Sequence, residues 1–181
     1  MTDFIFEHSG LHGIIQITPK INTGEKDLFV KSYEKNVYAN NGIDFIPTEE
    51  YMIKEDKFIF RGIHFQNIKP QKRILTVLSG SAYVTVVDFN KTSPQLGQFE
   101  TFLLKGNFSK LLFVPAWYGV ATISLEDNTI ISVKNSGLYY AEYSTGIRYD
   151  DNNLNIQWPV KAFQISDKDK HLMTFEEYLN S

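Results

Sequence analysis

Cysteine is absent from this chain. That excludes disulfides, a thiolate nucleophile, Fe–S ligation and Cys-type zinc sites, and it leaves the redox compartment unread. Positive charge is not in surplus either. The formal net charge is −3 and the Lys and Arg residues are scattered, so no basic patch is in place for a nucleic-acid partner. No apolar run approaches the ~20 residues needed to span a bilayer, so no membrane partner is expected. The opening MTDFIFEHSGLHG carries acids where a secretory signal carries positive charge. The expected location is therefore cytoplasmic.

Histidine is scarce, with four residues: His8, His12, His64 and His171. A metal centre built on neighbouring strands needs two or three His plus a carboxylate, and His64 has no His two residues away to begin one. His8 and His12 have helical spacing, but Gly10 and Gly13 around them argue against a helix. No metal and no other cofactor is expected.

What the chain does have is aromatic residues. With 14 Phe and 10 Tyr in 181 residues, 43% hydrophobic and 22% charged, the composition is that of a folded globular chain leaning toward β-structure. The length suits one domain. GIIQIT and LFVKSY (Leu28–Tyr33) read as early strands, and EKNVYANN as a short helix. Lys57–Gln66, Ile74–Leu78, Ala82–Phe89, Phe99–Leu104, Lys110–Val114, Ala121–Leu125 and Thr129–Val133 are short β-rich runs separated by turn chemistry, the pattern of a sandwich or barrel. Tyr83-Val84-Thr85-Val86-Val87-Asp88 is apolar at both parities, which predicts a central strand covered on both faces. Near the end, Thr174-x-x-Glu177 offers a capping box for a closing helix.

Within Phe60-Arg61-Gly62-Ile63-His64-Phe65-Gln66, strict alternation puts Arg61, Ile63 and Phe65 on one face and Gly62, His64 and Gln66 on the other. This RGIHFQ block resembles the RGxHxQ signature of the dTDP-4-dehydrorhamnose 3,5-epimerase family. VLSGSAYVTVVDFNKTSPQLGQF, LLFVPAWYGV, TGIRYDDNNLNIQWP and ISDKD follow in that family's order and spacing, and the similar blocks run from about Asp27 to Asp169. The resemblance implies a mainly β fold, a double-stranded β-helix or cupin-type jelly-roll barrel with short peripheral helices. It implies one epimerase-like domain over 1–181: N-terminal strands and a dimer arm in 1–57, the barrel core in 58–150, and a C-terminal extension with a short helix in 151–181.

For function the resemblance implies proton removal α to the C4 ketone of a nucleotide-linked 4-keto-6-deoxy sugar, in the biosynthesis of bacterial surface carbohydrate. By matched position His64 is the base and Asp169 its orienting partner. Arg73, with Lys72 beside it, falls where the family has a Lys near the enolate oxygen, although Arg does not give up its proton. Arg61 matches the pyrophosphate contact, Lys26 a second cation, Phe29 a surface for the base, and Tyr139 and Tyr140 an aromatic pair lining the pocket. Gln66 belongs to the signature. Glu49, Glu50 and Tyr51 stand where Gln, Asp and Asn are usual beside the sugar or base, which opens the preference to a substrate other than the common thymidine one. A homodimer is implied, with GIIQIT or LFVKSY pairing with the partner's sheet.

Two positions depart from the pattern. The family's second His falls on Val120 and its acidic Tyr on Val133. Three readings follow: an epimerase whose acid is Tyr118, Tyr139, Tyr140 or water; a keto-isomerase using the His64–Asp169 pair; or a non-catalytic sugar-nucleotide binder.

Overall fold

The computed structural model describes residues 3–181. The chain opens with β1 (Phe4–His8), β2 (Ile15–Pro19), β3 (Ile21–Thr23), β4 (Leu28–Val30), helix α1 (Lys35–Asn40) and β5 (Glu49–Glu55). The central strands follow: β6 (Ile59–Gln66), β7 (Lys72–Ser79), β8 (Ser81–Asp88), β9 (Phe99–Lys105), β10 (Leu111–Val114), β11 (Tyr118–Ser124) and β12 (Thr129–Ser136). Short β13 (Ser144–Gly146) and β14 (Gln164–Ile165), then helices α2 (Asp167–Lys170) and α3 (Phe175–Leu179), complete it. Among the described residues no helix is long and apolar enough to cross a membrane.

Two sheets face each other. One runs β1-β2-β10-β7-β12-β5; the other runs β13-β6-β11-β8-β9, with β14 added parallel to β6. Strand side chains point alternately to the two sides of a sheet, and here both sides find apolar cover. Between the sheets lie Leu75, Val77, Val84, Val86, Leu104, Leu112 and Ile131. Outside the second sheet, Phe60, Ile63, Phe65 and Phe89 pack against Leu154, Ile156, Phe175 and Tyr178 of the C-terminal segment. Outside the first sheet, Ile15, Ile17, Ile74 and Phe113 are covered by Tyr38, Ile43 and Phe45. The apolar residues at both parities in β8 follow from this layering, because β8 lies between β11 and β9 with seven of its eight residues buried.

Local chemistry sets the ends. Thr174 and Glu177 form the reciprocal capping box at the start of α3. Phe58, at φ 62°, makes the turn before β6, so that strand starts at Ile59 and not at Lys57. GIIQIT supplies β2, which is held on both sides by β1 and β10 and leaves no edge for a partner. LFVKSY contributes only β4, paired with β3 in a separate hairpin where Leu28 and Phe29 are exposed.

Candidate active site

The space between the sheets is hollow where β5 and β6 face each other. The cavity there is lined by Tyr51, Ile53, Arg61, His64, Arg73, Thr122 and apolar residues that include Val120 and Val133. Toward the rim the opening continues past Gln66, Gln71, Tyr139 and Lys168.

His64 and Arg61 both reach this cavity, against the alternation expected of an unbroken strand. The pairing of β6 with β11 shows why. His64 opposes Val120 and Arg61 opposes Thr122, so three residue steps on β6 match two on β11. This β-bulge resets the parity and turns both polar side chains inward while Phe60, Ile63 and Phe65 stay in the outer core. Gly62 sits in the bulge at φ 144°, and a Cβ there would come 2.5 Å from the Cα of Ala121, so only glycine fits.

The bulge also admits a carboxylate from outside. Ser166 caps α2 by accepting from the Asp169 N–H at 3.1 Å, which aims Asp169 at β6. One Asp169 oxygen accepts from the Gly62 N–H at 3.2 Å, and the other lies 2.8 Å from Nε2 of His64. Burial pushes the Asp169 carboxyl up, but the hydrogen bond and charge of His64, the Gly62 N–H and the charge of Arg61 outweigh it and hold the group below the ordinary carboxylate range. An ionised carboxylate only accepts, so Nε2 carries the proton and Nδ1 is left as the basic nitrogen. The Asp169 side chain is 4% exposed and that of His64 29%, a sealed anchor beneath a ring that substrate can reach. On the other side of the ring β13 passes at Gly146, where a Cβ would meet the Ile63 carbonyl oxygen at 2.3 Å and Cδ2 of His64 at 3.2 Å.

The two arginines have different settings. Arg73 is buried, and its Nη1 donates to the His64 carbonyl at 3.1 Å. Burial pulls its guanidinium below the usual value, partly offset by Tyr51. Arg61 is half exposed, with Nε on the buried Glu55 carboxylate at 2.9 Å. That contact steadies the guanidinium and leaves its terminal nitrogens for a bidentate anion.

Other expected site residues lie elsewhere. Tyr118 does not line the cavity. Its hydroxyl donates to the His12 carbonyl at 3.0 Å and lies 3.5 Å from Asp88; burial, aided by the Asp88 charge, pushes the phenol up. Sharing a face with Val120 does not bring it to His64, because two residues along a strand cover about 6.6 Å. Lys72 is excluded by alternation: with Arg73 turned in, Lys72 turns out and binds Asp44 at 3.1 Å. Lys26 and Phe29 belong to the exposed β3–β4 hairpin and not to the cavity of their own chain. Gln66 is buried and fastens a loop, donating to the Lys69 and Leu138 carbonyls and accepting from the Tyr140 N–H. Glu49 accepts from the Tyr139 N–H at 3.1 Å, which sets Tyr139 at the rim. Tyr140 lies under the Lys69 ammonium, 4.2 Å from the ring centre, and lines neither part of the opening.

Sequence reasoning passed over Thr122, whose buried Oγ1 has no partner among the described residues, and Glu55, which holds Arg61. Thr122 stands two residues from Val120, so the strand period could have found it. Glu55 had no comparable signal, because β5 itself was not recognised.

An imidazole seated on a carboxylate in a concave apolar site, flanked by two guanidiniums, defines a small-molecule enzyme of the proton-transfer kind. The chain belongs to the dTDP-4-dehydrorhamnose 3,5-epimerase family, whose sequence model matches residues 8–177, and with it to the isomerase class of enzymes and the cupin-type fold. It is similar to dTDP-4-dehydrorhamnose 3,5-epimerase from Methanothermobacter thermautotrophicus, at 30% identity over 98% of this chain and 97% of that protein. Among solved structures it resembles the Bacillus anthracis dTDP-4-dehydrorhamnose 3,5-epimerase with TDP and PPi bound, at TM-score 0.90 and 26% identity, covering 94% of this chain and 99% of that one. It also resembles a Legionella pneumophila 3,5-epimerase in complex with dTDP-4-keto-L-rhamnose, at TM-score 0.90 and 25% identity, covering 94% and 92%.

Proposed function

We propose that this protein epimerises a deoxythymidine-diphosphate-linked 4-keto-6-deoxy sugar at C3, C5 or both, with His64 as the base. The observation that carries this reading is the 2.8 Å contact between His64 and Asp169 inside a cavity that also holds Arg73. Nδ1 takes the proton from the carbon beside the ketone, and the Asp169 carboxylate stabilises the imidazolium that results. Electron density moves onto the ketone oxygen, where the fixed positive charge of Arg73 favours the enolate. Arg73 acts as a charge only, since a guanidinium keeps its proton. Arg61, at the cavity and half exposed, is suited to the diphosphate, and the unpartnered Thr122 hydroxyl to a sugar hydroxyl.

The hairpin residues fit a homodimer. Lys26 and Phe29 stand away from their own cavity on an arm with Leu28 and Phe29 exposed, and a second copy gives that arm a surface to cover. A nucleotide-linked substrate supports a cytoplasmic setting in the biosynthesis of surface carbohydrate.

The test is incubation of the purified protein with dTDP-4-keto-6-deoxyglucose in D2O, followed by NMR. Inverted product carrying deuterium at the epimerised carbon is the expected result. Movement of the carbonyl to a neighbouring carbon would replace this reading with keto-isomerisation, and binding without exchange would remove catalysis altogether.

A further inference from the structure

Inversion needs two groups on opposite sides of the sugar, one to remove the proton and one to return it. His64 stands on β6, in the second sheet. Across the cavity, the first sheet presents β5, and its residue 51 is a tyrosine that lines the same space. The register of β5 with β12 places Tyr51 directly opposite Val133. Side chains opposed in this way leave the sheet on one face with their Cβ atoms about 4.5–5.5 Å apart. A phenol missing at position 133 is therefore present one strand away, on the wall that faces His64.

Resting on the epimerase reading above, we propose that Tyr51 is the acid that protonates the substrate carbon on the face opposite His64. Other phenols are worse placed. Tyr118 is turned to His12 and Asp88. Tyr139 borders only the rim, and Tyr140 neither part of the opening. Among the described residues lining the inner cavity, Tyr51 carries the only phenol. Its surroundings keep it in the protonated form that an acid needs. Burial, opposed by the charges of Arg73 and Arg61 and aided by Glu49 and Tyr139, leaves its pKa above the ordinary phenol value, and the two guanidiniums stand ready to offset the phenolate once it forms. A phenolate formed beside two guanidiniums is a tolerable intermediate state.

The step balances. His64 takes the proton, and the C–H electron pair becomes the C=C of an enolate whose charge sits on the former ketone oxygen. The enolate then collapses: C4=O re-forms, and the carbon bonds to the proton from the Tyr51 hydroxyl on the other face. Imidazolium and phenolate remain, and a proton passing from the first to the second through solvent in the open cavity restores the enzyme.

The experiment compares wild type, Tyr51→Phe and the double variant Tyr51→Phe/Val133→Tyr with dTDP-4-keto-6-deoxyglucose in D2O. Deuterium exchange into retained substrate and formation of inverted product are followed separately by NMR. Tyr51→Phe is expected to lower inversion by about 10²–10⁴-fold, the usual worth of a general acid, while exchange by His64 stays within a few-fold. The double variant should recover part of the inversion. Inversion at the wild-type rate in Tyr51→Phe overturns the assignment, and so does loss of exchange in parallel with inversion in a folded variant. A wild-type protein that neither exchanges nor inverts overturns the epimerase reading itself, and that arm keeps the two failures apart.

Discussion

Between β8, β9 and β10 the space inside the barrel is filled by Val84, Val86, Phe102, Leu104 and Leu112, whereas between β5 and β6 it is left open around Tyr51, Arg61, His64 and Arg73. Leu75, Val120, Ile131 and Val133 belong to both halves, as a partition with core on one side and cavity on the other. The filled half depends on shape. The hollow half keeps imidazole and guanidinium groups in place only because atoms from other layers hold them. Stability and chemistry are thus divided between two halves of one barrel.

The sharpest way to break that division is at the base. Replacing His64 by Asn should lower deuterium exchange and turnover by about 10²–10⁴-fold, with the thermal unfolding midpoint little changed. A comparable loss of stability would show that the hollow half also carries the fold. The reverse experiment is Leu104→Ala, at a fully buried position in the filled half. It should cost about 2–5 kcal/mol in urea unfolding and leave exchange per folded molecule unaltered. A smaller effect is expected at Asp169. Its carboxyl is held below the ordinary range in the folded state, so its contribution to stability is present above the unfolded-state value and is lost as pH falls through the folded one. Asp169→Asn should flatten the stability profile across that acid interval, measured by urea unfolding at a series of pH values. An unchanged acid slope would show that the carboxylate is not held as described.

Most of the architecture was legible because turn residues separate short apolar runs and because Thr174 and Glu177 spell out a cap. β5 was not, since Glu49–Glu55 is a polar-rich edge strand, EEYMIKE, whose form is imposed by its pairing with β12. Its invisibility hid the Glu55 that holds Arg61, while Tyr51 was placed beside the sugar or base by matched position and not by any strand pattern. The facing of β6 was misread for a different reason: alternation assumes an unbroken strand, and the bulge at Gly62 shifts it by one. Tyr118 shows a third limit, because period two gives the face of a residue and not its height along the barrel. Matched blocks carried His64, Asp169, Arg61 and Arg73, which the structure brings together, and Tyr51, Gln66 and Tyr139, which it places along the same opening.

The Asp169 carboxylate reaches the imidazole at the edge of the second sheet, in the stretch of β6 between its pairings with β14 and β13, from a helical turn near the end of the chain. The chemistry inside the barrel is therefore answerable to a segment outside it. Tyr51, Arg61 and Arg73 all come from residues before Ser166, but the group that fixes the tautomer of His64 comes after it, so the tail works as a latch on the base.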